Sequence, residues 1–122
     1  MSYINKPGKT TAWHTHVLNN LVADTILYEK VETSLPMARS LTKLLAKLIR
    51  YAKQDTLHSR RLALQYLVNK KKLEDKGGKK LLDKLFSDLK ERYRDRAGGY
   101  SRITKLNYRT GDNDLRVIFA LV

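Results

Sequence analysis

Apolar side chains recur at helical spacing in two long stretches of the first half of the chain. In residues 13 to about 29 the recurring positions are Val17, Leu18, Leu21, Val22, Thr25 and Ile26. In residues 36 to about 53 they are Leu41, Leu44, Leu45, Leu48 and Ala52. Spacings of three and four residues place side chains on one face of an α-helix, so both stretches are predicted to be helical. Pro36 suits a first helical turn, where its missing N–H costs no hydrogen bond.

The same periodicity predicts two further helices. The third begins after an N-cap at Asp55 or Thr56 and extends to about residue 69. Its apolar contacts are expected from Leu57, Leu64, Leu67 and Val68. Two glycines at positions 77–78 precede a fourth helix over residues 79 to about 93, whose apolar stripe is Leu81, Leu82, Leu85, Phe86 and Leu89.

Strand-like composition replaces the helical pattern near residue 31 and again at the carboxyl end. Residues 31–34 are short and β-branched, whereas residues 100–109 and 115–122 are rich in β-branched and aromatic side chains around a turn-forming cluster at 110–114. The sequence therefore predicts an α+β fold. About four helices pack on a small mixed sheet made of one short strand and a carboxy-terminal β-hairpin.

Length and composition favour one soluble domain of ordinary size. The chain has 122 residues, of which 42% are hydrophobic, enough for one modest core. Residues 1–12 contain Pro7 and Gly8 but few apolar side chains and are predicted to form an extended arm before a single domain over residues 13–122. No cysteine is present, no apolar run approaches the roughly 20 residues that span a bilayer, and the start lacks a secretory pattern. We expect a cytoplasmic protein with no membrane association.

Charge narrows the class of partner. Lys and Arg number 25 against 12 Asp and Glu, a formal net charge of +13 that calls for a polyanion, with nucleic acid favoured over a membrane surface. Residues 35–72 carry ten of these cations and only one acid, Asp55. On the second helix the cations lie opposite the apolar face, at Arg39, Lys43, Lys47, Arg50 and Lys53.

A charged helix face is often only solvated, but such faces mix signs, and an all-basic face suffers self-repulsion that phosphates relieve. We therefore predict RNA contacts at Arg39, Lys43, Lys47 and Arg50, and also at Arg60 and Arg61, which are expected to be exposed on the third helix.

The loop before the hairpin contains further RNA-binding candidates. Gly98 and Gly99 let a backbone approach phosphates, Arg96 and Arg102 can grip them, and Tyr100 can stack on an unpaired base. A helix C-cap followed by a strand explains the same glycines equally well, and both interpretations can hold at once.

Catalytic and metal-binding patterns are weak. Gly8-Lys9-Thr10 resembles the end of a phosphate-binding loop, but Tyr3 stands where its first glycine is required. No third histidine or carboxylate lies near His14 and His16 in the sequence to complete a metal site. No nucleophile with a base, and no isolated pair of carboxylates, suggests catalysis. The sequence predicts no enzyme, cofactor, metal or small-molecule substrate.

Two motifs near the carboxyl end carry a family resemblance. Arg-Ala-Gly-Gly-Tyr-Ser-Arg-Ile at 96–103, followed by Arg-Thr-Gly-Asp-Asn at 109–113, closely resembles the signature of bacterial large-subunit ribosomal protein 17. Matching positions continue upstream in family order over most of the chain: Glu29 with Thr33, Ala38 with Arg39, Leu48-Ile49 with Ala52-Lys53, and Arg60-Arg61-Leu62-Ala63.

The resemblance implies a structural constituent of the bacterial large ribosomal subunit in the cytoplasm. Such a protein contacts large-subunit ribosomal RNA and neighbouring ribosomal proteins near the exit of the nascent-chain tunnel, and supports assembly and translation. It adds Arg109 to the expected RNA contacts. The family arm is densely basic, but here only Lys6 and Lys9 remain as its expected RNA contacts, and Trp13-His14 stands where the family tends to have His-Arg.

Two other classes remain open on sequence alone. A free-standing nucleic-acid binder shares the charge but does not require the 96–113 signature. An enzyme requires a pocket that joins His14, His16 or His58 to a carboxylate.

Overall fold

The computed structural model describes residues 8–70, 73–74 and 77–122. Its strands are β1 (Lys30–Ser34), β2 (Ser101–Tyr108) and β3 (Leu115–Leu121). Its helices are α1 (Thr11–Tyr28), α2 (Leu35–Gln54), α3 (Leu57–Leu67), α4 (Leu81–Lys84) and α5 (Lys90–Arg92). A 3₁₀ turn, Val68–Lys70, follows α3, and a π-helical stretch, Leu85–Leu89, joins α4 to α5 as one helical segment. The predicted α+β class, with four helical stretches and a terminal hairpin, is confirmed.

All three strands form one antiparallel sheet in the order β1-β3-β2. Phe119 of β3 stands between Val31 of β1 and Ile103 of β2. The prediction of a mixed sheet was therefore wrong. A short strand such as β1 shows its β-branched composition in the sequence, but its direction depends on which strand it pairs with, and that is a tertiary choice.

The core forms where the inner face of α2 meets the other helices and one face of the sheet. Leu41, Leu45 and Leu48 of α2 are completely buried. Val117 and Phe119, two residues apart on β3, are also fully buried because alternate strand residues face the same side. Further completely buried side chains come from α1 and the last helical segment: Val22, Ile26, Leu81, Leu85 and Leu89.

Local capping fixes helix ends that periodicity placed only approximately. Helix α1 begins at Thr11, two residues earlier than predicted, because the Thr10 side chain accepts a hydrogen bond of 3.2 Å from the Trp13 amide. The predicted arm over residues 1–12 thus includes the start of a helix, while residues 1–7 lie outside the described part. Thr56 is the N-cap of α3, through a reciprocal capping box with Ser59.

The alternative cap of α3, Asp55, instead ends α2 in a left-handed conformation with φ of 48°. Its carboxylate pairs with Lys90 at 2.7 Å and with Arg60 at 3.2 Å. The hydrogen bond from Lys90, followed by that from Arg60, lowers the pKa of Asp55 below its ordinary value. The sole acid of the basic stretch therefore connects the end of α2 to two other helical segments.

The inward face of α3 differs from the predicted one. Ser59, Ala63 and Leu67 are buried at intervals of four residues, whereas Leu57 is 64% exposed and Val68 is 47% exposed. At about 100° per residue, Leu57 lies on the opposite side of the helix from Ser59. The distribution of leucines along α3 therefore does not mark its buried face.

Truncations on α3 test this assignment. Leu67→Ala should lower the free energy of unfolding by about 2 to 5 kcal/mol, because it removes buried methyl groups and leaves a cavity. Leu57→Ala makes the same chemical change at an exposed position and should cost about 0.5 kcal/mol or less. Urea unfolding followed by circular dichroism measures both. Equal losses in the two variants would contradict the assignment.

Candidate nucleic-acid interface

The outer face of α2 presents a row of cations to solvent. Arg39, Lys43, Lys47 and Arg50 are all exposed and follow one another at three- or four-residue spacing, opposite the buried leucines. One helical turn separates each cation from the next, because 3.6 residues complete a turn. The geometry predicted for this face is therefore present.

These four cations lack neutralising partners within the part of the chain that the structure describes. None forms an ion pair there. Elsewhere cations are commonly paired, as with Lys70 and Asp24 at 2.7 Å. Positive charge on α2 is thus concentrated and available to an external anion.

Lys47 is held in place by a neighbouring aromatic ring. Its Nζ donates a hydrogen bond of 2.7 Å to the Tyr66 hydroxyl and lies 5.1 Å from the centre of that ring. The hydrogen bond to Tyr66 raises the pKa of Lys47 above its ordinary value. Tyr66 was not anticipated from the sequence, where it appears as one more residue of α3.

The basic face and the glycine loop line one concave surface, which we call the α2 groove. Its volume is about 660 Å³. Its lining comprises Lys43, Ala46, Lys47, Arg50, Lys53, Ala97, Gly98 and Tyr100. Four of these eight residues are cations and none is acidic. Two regions that the sequence indicated separately therefore form a single positively charged site.

Lys53 connects the two sides of the α2 groove. Its Nζ donates hydrogen bonds to the Arg96 carbonyl oxygen and, at 2.9 Å, to the Tyr100 hydroxyl, and it lies 4.9 Å from the centre of the Tyr100 ring. The Tyr100 hydroxyl in turn donates to the Arg96 carbonyl at 3.1 Å. This small network fixes the loop against the last turns of α2.

The role predicted for Tyr100 is corrected by its placement. Only 9% of the residue is exposed, and its ring packs edge-on against Tyr93 with 5.1 Å between centres. The Tyr93 hydroxyl donates to the carbonyls of Val122 at 2.9 Å and Tyr100 at 3.3 Å. Tyr100 therefore supports the loop from beneath and does not present a free face for stacking on a base.

The loop glycines serve the turn between helix and strand, and one of them also lines the α2 groove. Gly99 adopts a φ of +64°, a left-handed conformation that glycine tolerates best, so it serves the turn between helix and strand. Gly98 lines the α2 groove, and open space surrounds the position that a Cβ would occupy. Arg96 donates from Nε to the Gly98 carbonyl at 3.2 Å and keeps its guanidinium at the exposed rim.

The remaining predicted site residues that the structure describes do not line the α2 groove. Arg61 is exposed on α3 and Arg102 is exposed on β2, whereas Lys6 falls outside the described residues. Arg60 is partly engaged, because it pairs with Asp55 and lies 4.8 Å from the Phe86 ring.

The last two predicted residues border a different region, at the start of α1 and the hairpin turn. Lys9 is exposed, with Nζ 5.3 Å from the centre of the Trp13 ring. Arg109 donates from Nε to Asp112 at 2.9 Å and lies 3.9 Å from Asp114, so its charge is largely balanced within the turn.

No group of three histidines, cysteines or acids within residues 8–70, 73–74 and 77–122 is arranged to hold a metal ion. No helix in those ranges is long and apolar enough to cross a bilayer.

Comparison with known proteins agrees with the resemblance. The family model described as ribosomal protein L17 matches residues 17–122. A large ribosomal subunit protein bL17 from Mesoplasma florum is 43% identical over 122 residues, the full length of both chains. Its counterpart in Malacoplasma penetrans is 42% identical over the full length of both chains, and that of Mycoplasma pneumoniae is 42% identical over 112 residues, covering 92% of this chain and 88% of the relative.

The fold, the cationic surface and these matches define a ribosomal protein of the structural, non-enzymatic class, of the kind found in cytoplasmic large subunits. More particularly, the chain belongs to the ribosomal protein L17 family.

The ion pairs of the hairpin turn predict a specific pH effect. The hydrogen bond from Arg109, followed by the backbone N–H of Asp114, lowers the pKa of Asp112 from 3.8 to about 2. Because the folded pKa is the lower one, this carboxylate stabilises the fold above pH 3.8 and loses that contribution as the pH falls towards 2.

In the variant Arg109→Ala, the pKa of Asp112 should therefore return towards 3.8. NMR titration of the side-chain carboxyl carbon of Asp112 measures this change. Arg102→Ala, which removes an exposed arginine on the preceding strand, is the control and should leave the titration unchanged. An Asp112 pKa unaffected by Arg109→Ala would show that the pair does not form in solution.

Proposed function

We propose that the chain is a structural constituent of the large ribosomal subunit that binds large-subunit ribosomal RNA through the α2 groove. The observation that carries this proposal is the meeting of Lys43, Lys47, Arg50 and Lys53 with the 97–100 loop in one concave surface without acidic lining. A protein that served only as a solvated scaffold would gain nothing from cations held together against their own repulsion.

Binding to phosphates supplies the compensating energy. Each cation that neutralises a phosphate releases condensed counterions, which favours association and makes it sensitive to salt. Arg39 to Arg50 spans about 16 Å along α2, at 1.5 Å rise per residue, so the face can follow a length of RNA backbone. Its exposed guanidinium groups can bind phosphate oxygens in pairs, while the lysines act as point charges.

The loop side of the groove contributes an open backbone surface beside the cations. Gly98 presents backbone with no side chain in the way, so an RNA strand can approach closely, and the Arg96 guanidinium lies at the same rim. Because Tyr100 is buried, recognition in this groove rests on phosphate contacts and shape more than on the identity of bases.

The wider assignment follows the family. The L17 match supports neighbouring ribosomal proteins as partners, a position near the exit of the nascent-chain tunnel, and a contribution to subunit assembly and translation. We propose that residues 13–122 act as one domain within the subunit. Supplementary contacts with RNA are expected from Lys6, Lys9, Arg61, Arg102 and Arg109. Cryo-electron microscopy of large subunits that contain this chain tests the position directly.

Charge removal in the groove tests RNA binding. Lys43→Ser/Arg50→Ser should weaken binding to deproteinised large-subunit RNA and lower the slope of log affinity against log salt by about 1 for each lost phosphate contact. Neither side chain faces the core, so the unfolding midpoint should stay unchanged. Filter binding at several salt concentrations measures both affinity and slope.

The matched control is Lys30→Ser/Lys80→Ser, which removes the same charge from two exposed positions outside the groove. It should leave the salt slope near that of the unaltered protein. If both double variants lose the same affinity and slope, only net charge matters and the α2 groove is not the RNA site.

A further inference from the structure

A second concave surface lies at the opposite end of α2 from the groove. It is formed where the start of α1, the start of α2 and the hairpin turn converge, and its volume is about 680 Å³. We call it the Trp13 pocket. It shares no lining residue with the α2 groove, so whatever occupies it is bound by a separate set of side chains.

His14 provides the first indication of a ligand. It lines the pocket with only 9% of its surface exposed, and its Nε2 atom is buried without a hydrogen-bond partner among the described residues. Buried polar nitrogens in proteins nearly always have a partner, because leaving one unpaired is unfavourable. The Nε2 atom is therefore suited to a hydrogen bond with a group that enters the pocket.

The walls of the pocket suit a flat aromatic group. Trp13 is 41% exposed, and its ring meets the His14 ring edge-on with 5.0 Å between centres. Leu18, Pro36 and Met37 supply the apolar remainder of the lining. An indole surface beside apolar side chains and one unsatisfied nitrogen matches a heteroaromatic base, which has apolar faces and a polar edge.

The surrounding charges permit an attached phosphate. Lys9 lies at the mouth with Nζ 5.3 Å from the Trp13 ring, while Asp112 and Asp114 are paired with Arg109 and Arg116. The first turn of α2 contains no acidic residue, and Ser34 makes no side-chain capping bond there. The backbone N–H groups of this turn, apart from Pro36, which has none, therefore favour an anion.

We propose that the Trp13 pocket binds one unpaired nucleotide of RNA. The base stacks on Trp13, its polar edge forms a hydrogen bond with His14 Nε2, and its phosphate lies near Lys9. This inference rests on the proposed RNA-binding function. It adds contacts with a base to a protein whose α2 groove is proposed to contact the RNA backbone.

The single tryptophan of the chain makes the pocket observable by intrinsic fluorescence. The full chain is titrated with a labelled RNA hexamer of adenylates and with a hexamer of equal charge that lacks all bases, while label anisotropy reports occupancy. At equal occupancy the adenylate strand should quench Trp13 and the abasic strand should not. Loss of stacking should make the abasic strand bind about fivefold or more weakly.

Three variants separate the pocket from the groove. His14→Leu should reduce the preference for the adenylate strand by about threefold to tenfold, because one hydrogen bond is lost. His14→Gln, which can still form such a bond, should retain most of the preference and remains informative if the leucine variant folds poorly. Lys43→Ser/Arg50→Ser should weaken both strands alike and leave the preference between them unchanged.

The possible failures are distinguishable. Suppose that both hexamers bind, and that they either change Trp13 fluorescence equally or leave it unchanged. The proposed nucleotide pocket is then wrong, while the proposal of RNA binding by the α2 groove stands. If an uncharged peptide displaces the adenylate strand from Trp13 without reducing total RNA bound, the pocket belongs to a protein partner and the inference is also overturned. Absence of all RNA binding at low salt would reject both proposals.

Discussion

Burial of the inner face of α2 is the constraint on which the other features depend. Leu41, Leu45 and Leu48 are completely enclosed by neighbouring helices and the sheet, so the opposite face must point outward. The cations of that outer face consequently keep a fixed spacing and direction without needing partners of their own. Lys53, at the last turn of the same helix, binds the Arg96 carbonyl and the Tyr100 hydroxyl and thereby places the glycine loop beside the row.

Acidic side chains neutralise the arginines of the hairpin turn but not the cations on the outer face of α2. In the hairpin turn, Asp112 and Asp114 balance Arg109 and Arg116, so charge is neutralised locally. At the end of α2, Asp55 is occupied by Lys90 and Arg60, and none of the residues that line the α2 groove is acidic, so the cations of the groove remain unneutralised. The cations that connect helical segments through Asp55 are thus different from those on the outer face of α2, which are unpaired within the described part of the chain.

The sequence predicted features that depend on local periodicity and missed features that depend on tertiary contacts. Helical periodicity located α2 and its cationic face correctly, because a long amphipathic repeat has few alternative interpretations. It failed for Leu57, whose exposure depends on the orientation of α3, and for the direction of β1, which depends on its partner. Three features are tertiary contacts and leave no local signal in the sequence. The α2 cations meet Gly98 across some fifty residues of chain, Tyr93 packs against Tyr100, and Tyr66 contacts Lys47.

Sedimentation of the tagged protein with large ribosomal subunits tests the central claim most directly. Cell lysate is separated on sucrose gradients at moderate and at high salt, and the protein is followed across the subunit peaks. A structural constituent anchored in folded RNA should comigrate with the large subunit at both salt concentrations. Protein that remains at the top of both gradients would contradict stable membership of the ribosome and favour a free nucleic-acid binder.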